Sequence, residues 1–474
     1  MLAICDVLKQ ITMSISGKKI RCDFIQITNM ALSPGDPNSH SRPEQVITKH
    51  LHFNWDIDFE RKTVSGWTTL TCERLVDGIQ TLALDINMID IQRVSYNDDQ
   101  DLKFSIGPQS CCGCSLEVSL PADCKAEFSV TVYHSSSPES PALLWLSREQ
   151  TSSKLFPFVF SQGQAILNRA LFPCQDSPAV KTTYTANITA DSELTVLMSA
   201  ISEGDNLLAG GRREWTFRQS VPIPSYLVAF AAGLLSSRKV GPRSTIWAEE
   251  QYLDKAGTDF SDTEAMLQAA ENLCGPYVWG VYDILVLPPS FAFGGMENPC
   301  LTFVTPTLLT GDKSNANVIA HEISHSWTGN LITNCNFEHF WLNEGFTVFI
   351  ERKIIGRLNG EAERHFMSNL KWKELEEAVY EEFSPDHEFT KLVPSLIGVD
   401  PDDAFCRVPY EKGSTFLWYL EEKVGGADIF ETFMKDYFKA FSFKSLSSDQ
   451  FRDRCKYWMT NLQRLLKVWL KLFI

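Results

Sequence analysis

Two histidines four residues apart bracket a glutamate in His321-Glu322-Ile323-Ser324-His325, and a further glutamate, Glu344, follows nineteen residues after His325. On a helix, side chains at i and i+4 stand one turn over the other on one face, so both imidazoles can grip a single Zn²⁺. Glu322 points to the same site without being needed as a ligand. It is therefore free to take a proton from water at the metal, the general-base role of a glutamate in this spacing. Glu344 would complete the metal sphere.

That chemistry needs a helix, and the flanking residues supply its punctuation. Gly311-Asp312-Lys313-Ser314-Asn315 is turn chemistry with several N-cap candidates, Val318 and Ile319 open an apolar face, and Gly329-Asn330 forms a stop. A second helix is expected through Phe340–Glu351, presenting Glu344 from a neighbouring element, so that two helices share one metal.

A chain of 474 residues exceeds one ordinary core and predicts two or three domains. With 59 acidic against 43 basic residues the formal charge is -16, which argues against nucleic acid or an anionic membrane as main partner. The thirteen cysteines are scattered without zinc-ribbon or secreted-framework spacing, which fits reduced thiols in a cytoplasmic protein; Cys111-Cys112-Gly113-Cys114 reads as a loop. No clean signal peptide is read at the N-terminus, and no stretch reaches the roughly 18 apolar residues of a membrane span.

In chain order, residues 1–45 read as a disordered lead-in, with Ser33–Ser39 rich in turn formers and Met30 a candidate start. From Leu51 the pattern changes: Leu51, Phe53, Trp55, Ile57 and Phe59 alternate with mostly polar residues, the period of a half-buried strand. The same alternation recurs at Leu82–Ile86, Phe128–Val132 and Tyr184–Ile188, predicting an antiparallel all-β domain over residues 46–236. Helical stretches dominate after about residue 237. Within them, Asp283–Pro289 reads as a strand ended by two prolines, followed by Phe293-Gly294-Gly295-Met296-Glu297-Asn298. The two glycines would let a ligand backbone approach, and Glu297 could pair with a cation, although a Gly-Gly loop is by itself only a turn. Glu361–Glu382 reads as a solvated helix, Asp400-Pro401-Asp402-Asp403 as a turn, and Val408-Pro409-Tyr410 as a helix opening whose Tyr410 either packs or reaches a site.

With these stretches, and with Phe160–Ala165, Pro173–Asp176 and Pro299–Leu309, the chain over residues 46–450 resembles the zinc aminopeptidases of the gluzincin type, and within them the leukotriene A4 hydrolase branch. The resemblance implies an α+β multidomain fold: an N-terminal antiparallel β saddle, then a thermolysin-like, mainly helical zinc domain over 237–450. Residues 451–474 are then a truncated or divergent helical tail, and the family's C-terminal helical domain, with the Arg it gives to substrate carboxylates, is expected to be missing. One Zn²⁺ per chain is implied, held by His321, His325 and Glu344, with Glu322 as base and Tyr410 as oxyanion donor. Gln162, Gly163, Gln164, Ala292, Phe293, Gly294, Gly295, Met296 and Glu297 are implied to bind substrate, Glu297 and Gln164 holding the free N-terminus of a short peptide. Asp402 matches the residue that places water when the branch opens an epoxide fatty acid. Phe293 and Phe405 stand where that branch has Tyr, and Gly163 where it has Cys. The competing expectation is a weakly active or non-catalytic zinc protein that binds peptides or partners.

Overall fold

The computed structural model describes residues 32–97 and 100–473. The apolar alternation expected from Leu51 onward builds a sheet of eight strands. Its order is Ile201–Leu207, Arg212–Pro224, Lys181–Asp191, Val46–Asp58, Thr63–Arg74, Glu127–Ser136, Ile89–Tyr96 and Gln100–Asp101. Phe53, Trp55, Ile57, Leu70, Val130, Tyr184 and Ile188 fill its inner face, as period-two patterning requires. One pairing departs from the all-antiparallel expectation. Val46–Asp58 runs parallel to Lys181–Asp191, with His50 opposite Thr183. These strands are far apart in sequence, so no hairpin forces them antiparallel.

Smaller sheets adjoin it: a four-stranded one ending in Phe230–Gly233 and a three-stranded one containing Thr81–Ile86. A five-stranded mixed sheet then begins at Ser236–Lys239 and continues through Thr245–Ala248, Asp283–Val286 and Leu301–Val304 to the edge strand Gly295–Met296. Asp283–Val286 stops just before the two prolines, which cannot donate to a ladder.

Eight helices follow among the described residues: α1 (Glu250–Asp259), α2 (Thr263–Cys274), α3 (Asn317–His325), α4 (Trp341–Asn359), α5 (Glu361–Glu377), α6 (Val408–Val424), α7 (Ala427–Phe441) and α8 (Ser448–Phe473). Helix α4 is buried on every side from Trp341 to Ile355, the signature of a central helix, and α3, α5 and α6 pack on it. It crosses α6 closely at a pair of glycines: a Cβ on Gly345 would stand 2.7 Å from the Cα of Gly413. No helix among the described residues is long and apolar enough to cross a membrane.

The lead-in needs correction. Residues 1–31 lie outside the described residues, but Ser33, Asp36, Asn38, Ser39 and Ser41 are buried. Turn-forming polar residues can enter a core when each finds a partner, and these do. Asp36 accepts from Ser177 Oγ at 2.5 Å, Ser39 donates to Asp85 at 2.6 Å, and the buried Arg169 donates to the Asn38 carbonyl at 2.8 Å. Asn38 Nδ2 in turn reaches the carbonyls of Leu396 and Val399 at 3.1 and 2.8 Å. The segment thus joins the β region to the loop that leads to Asp402.

Candidate metal centre and active site

Helix α3 carries His321, Glu322 and His325, but its ends differ from the expected ones. None of the side chains from Asp312 to Asn315 caps it, Asp312 instead accepting from Ser314 N at 3.0 Å within the preceding turn. The helix also ends at His325, short of Gly329, where Ser326 N and Trp327 N bond three residues back to Ile323 O and Ser324 O and Asn330 N bonds five back to His325 O. Helix α4 delivers Glu344 from its first turn.

Three ligand atoms converge. His321 Nε2 and His325 Nε2 are 3.2 Å apart, and Glu344 Oε2 lies 3.5 and 3.4 Å from them. Ligand atoms on a tetrahedral Zn²⁺ stand roughly 3.3–3.5 Å from one another. The tautomers fit as well. His321 Nδ1 faces Glu351 Oε2 at 2.9 Å and His325 Nδ1 faces the Thr328 carbonyl at 2.9 Å, so each Nδ1 keeps its proton and each Nε2 faces inward with the lone pair a metal would take in place of a proton. Two lone pairs and a carboxylate oxygen without a hydrogen-bond partner then meet in a buried space.

Electrostatics agree. Glu344 and Glu351 are held ionised beside the two imidazoles, so the buried site needs positive charge, carried by the imidazoles when no ion is present and by a metal cation in their place when one is bound. Burial pushes Glu322 up to about 8, with Glu297 and Glu344 adding to the rise. Burial would lower His321, yet Glu344 and Glu351 hold it well above its ordinary value; burial would raise Glu344, yet His325 and His321 hold it down at about 2. The residues present suit a divalent, nitrogen-preferring ion such as zinc.

Sequence reasoning missed Glu351 and Thr347, the latter 3.1 Å from His325 Nδ1. A signal existed: Glu344, Thr347 and Glu351 follow i, i+3, i+7 spacing and share one face of α4. Because partners of this kind orient metal ligands, Glu351→Ala is expected to weaken zinc affinity about 10- to 100-fold while retaining the fold. Zinc competition against a chromophoric chelator measures this, and unchanged affinity would remove Glu351 from the site.

Glu297 follows the edge strand and is buried; its Oε1 accepts from Gln164 Nε2 at 3.3 Å and lies 3.8 Å from His325 Nδ1, while Asn330 Nδ2 holds its carbonyl at 2.8 Å. Gly295 has a different purpose from the expected one. A Cβ there would collide with the Glu322 carboxylate, so the glycine lets the strand pass the base, whereas Gly294 meets only Val318 at van der Waals distance. Met296 takes the Gln162 amide at 3.3 Å, and Gly163 is closed in by Asn168 and the Tyr226 carbonyl. Ala292 and Phe293 are exposed; Phe293 stands 6.3 Å from Phe405, which is 6.0 Å from Tyr410. The Tyr410 ring lies nearly parallel to His321 at 6.2 Å, which places it beside the two histidines as well as packed against Phe340 and Phe405. Asp402 sits apart from that group, its Oδ1 accepting from Ala165 N at 3.3 Å.

Comparisons with known proteins reach the same place. The peptidase M1 N-terminal domain matches residues 47–227, and the peptidase family M1 domain matches residues 260–469. Leukotriene A-4 hydrolase of Xenopus laevis is 48% identical over 422 residues, covering 88% of this chain and 69% of that protein. The chain belongs to peptidase family M1. Leucine aminopeptidase 2 of Kluyveromyces lactis is 44% identical, covering 88% of this chain and 62% of its own length. The solved structure of yeast LTA4 hydrolase with bestatin superposes with a TM-score of 0.86 at 40% identity, covering 91% of this chain and 68% of that one. The chain therefore spans about two thirds of these relatives' length. The M1 relatives share the expected fold, a β domain followed by a helical catalytic domain, and the enzyme class is metallo-aminopeptidase.

Proposed function

We propose that the chain is a zinc-dependent aminopeptidase that releases N-terminal residues from short peptides in the cytoplasm, with residues 46–236 supporting a catalytic unit over 237–450. The observation that carries this reading is the lone-pair triangle of His321, His325 and Glu344 with Glu297 only 3.8 Å from His325. A zinc ion held there supplies Lewis acidity toward the scissile carbonyl and acidifies a water. Glu322 accepts the water's proton and delivers it to the leaving amine. Tyr410 keeps its own proton, because burial and the nearby Glu344 push its phenol well above its ordinary value, and so it donates to the developing oxyanion. Glu297, steadied by Gln164, pairs with the substrate ammonium and fixes which bond is cut.

The test compares free and N-acetylated aminoacyl substrates on the purified, zinc-quantified chain. Free-amine substrates are expected to be strongly preferred, and Glu297→Gln should raise their KM by about 10- to 100-fold, the worth of a hydrogen bond to a charged group. Equal cleavage of acetylated substrates would make the enzyme an endopeptidase; absence of bound zinc would overturn the reading. Epoxide opening through Asp402 ranks second. Its support is the 48% identity to a leukotriene A-4 hydrolase and the contact of Asp402 with Ala165, next to Gln164.

A further inference from the structure

The helix that supplies Glu344 and Glu351 is joined to the helix that supplies Tyr410 by two buried ion pairs, Arg352–Glu411 beside Tyr410 and Lys353–Glu421 roughly three turns further along α6. We infer that the first pair, Arg352 with Glu411, sets the Tyr410 hydroxyl against the metal ligands, which makes both members positioning residues for the oxyanion donor. The inference rests on the reading of Tyr410 given above.

Each member adjoins a site residue. Arg352 follows Glu351, whose carboxylate holds His321, and Glu411 follows Tyr410. Arg352 Nη2 reaches both Glu411 oxygens, at 2.8 and 2.6 Å, and Nη1 reaches Ser414 Oγ at 3.2 Å. Both side chains are over nine-tenths buried, at 7% and 6% exposure. A bidentate guanidinium–carboxylate pair fixes direction as well as distance.

The contacts of Tyr410 itself fix little. Its ring meets Phe340, Phe405 and His321 at centroid distances of 6.0–6.2 Å, contacts that tolerate rotation. Among the described residues its hydroxyl makes no hydrogen bond, so its place must come from the backbone of α6. That helix is tied to α4 at the Gly345–Gly413 contact, at Arg352–Glu411 and, ten residues beyond Glu411, at Lys353–Glu421. The contact of Gly345 with Gly413 sets how close the helices come, but two glycines have no side chains to stop α6 turning about its axis. Arg352, about 10 Å further along α4 at 1.5 Å per residue, holds the turn of α6 that carries Tyr410, whereas Lys353–Glu421 holds the far end of that helix. A small rotation of α6 would carry the Tyr410 hydroxyl, at the end of a long lever, out of hydrogen-bond reach.

A neighbouring cavity makes the pair experimentally accessible. It has a volume of about 290 Å³ and is lined by Arg352 and Ser414 together with Phe349, Arg364, Thr415 and Trp418. Removing the Arg352 side chain would leave a hole continuous with it, through which free guanidinium ion can enter.

The experiment measures kcat and KM for Arg352→Ala, Arg352→Lys and Glu411→Gln, each alone and combined with Tyr410→Phe, with zinc content and Tm as controls. In the presence of Tyr410, kcat is expected to fall about tenfold or more with KM little changed, whereas in the Tyr410→Phe background the same changes cost less than about threefold, because the lost effect runs through the hydroxyl. Millimolar guanidinium should restore kcat to Arg352→Ala but not to its Tyr410→Phe combination. Equal falls in both backgrounds, or no fall at all, overturn the inference. If Tyr410→Phe alone leaves kcat intact, the assignment of Tyr410 as donor fails instead. Should Arg352→Ala not fold, because it strands Glu411 buried and unpaired, the two milder variants carry the same comparison.

Discussion

Glu322→Gln is expected to lower kcat for free-amine substrates by about 10²–10⁴-fold while the protein keeps one zinc per chain. The amide has the shape of the carboxylate, so the tight passage of Gly295 beside it is undisturbed. Glu322 and Glu297 also lie within ligand distance of His325, but the triangle of His321, His325 and Glu344 excludes Glu322, so affinity for an ion held there should persist. What the amide lacks is a basic oxygen. In the native chain Glu322 Oε2 is buried with no hydrogen-bond partner, a lone pair available to a water proton. Metal analysis and steady-state kinetics on one preparation measure both halves of the expectation. Turnover within tenfold of the parent would take the base role away from Glu322.

His325→Ala should behave in the opposite way. Its Nε2 is one of the three proposed ligand atoms, and two remaining ligands rarely retain Zn²⁺, so dialysed protein is expected to hold less than roughly a tenth of an ion per chain. Activity disappears with the metal, and added zinc at micromolar concentration should not restore it. Because His325 is buried and its Nδ1 meets the Thr328 carbonyl and Thr347, Tm should also drop. Stoichiometric zinc in this variant would mean that the ion sits elsewhere.

Two kinds of feature were unequally legible in the sequence. The shared face of His321 and His325 could be read because i, i+4 spacing is a property of one helix, with Glu344 added by the family resemblance, and the alternation from Leu51 to Phe59 because period two is a property of one strand. The parallel seating of Val46–Asp58 on Lys181–Asp191, the use of Gly295 as clearance for Glu322, and the Arg352–Glu411 pair each depend on residues distant in sequence. No local pattern encodes those meetings. Residues 33–41 misled for a related reason: Ser, Asp, Asn and Pro signal exposed turns only while their partners are unknown, and here the partners are Asp85, Arg169, Ser177 and the Leu396–Val399 loop.

The burial of Asn38 also sets an order in time. Its amide is held by carbonyls 358 and 361 positions downstream. At 5–20 residues per second a ribosome needs roughly 20 to 70 s to make that much chain, whereas a β-rich unit can collapse in milliseconds to seconds. The earliest-made of the described residues must therefore wait, tethered beside the β region, until residues 396–399 have emerged. Their docking thus comes after the folding of the β region, and it ties that region to the loop before Asp402.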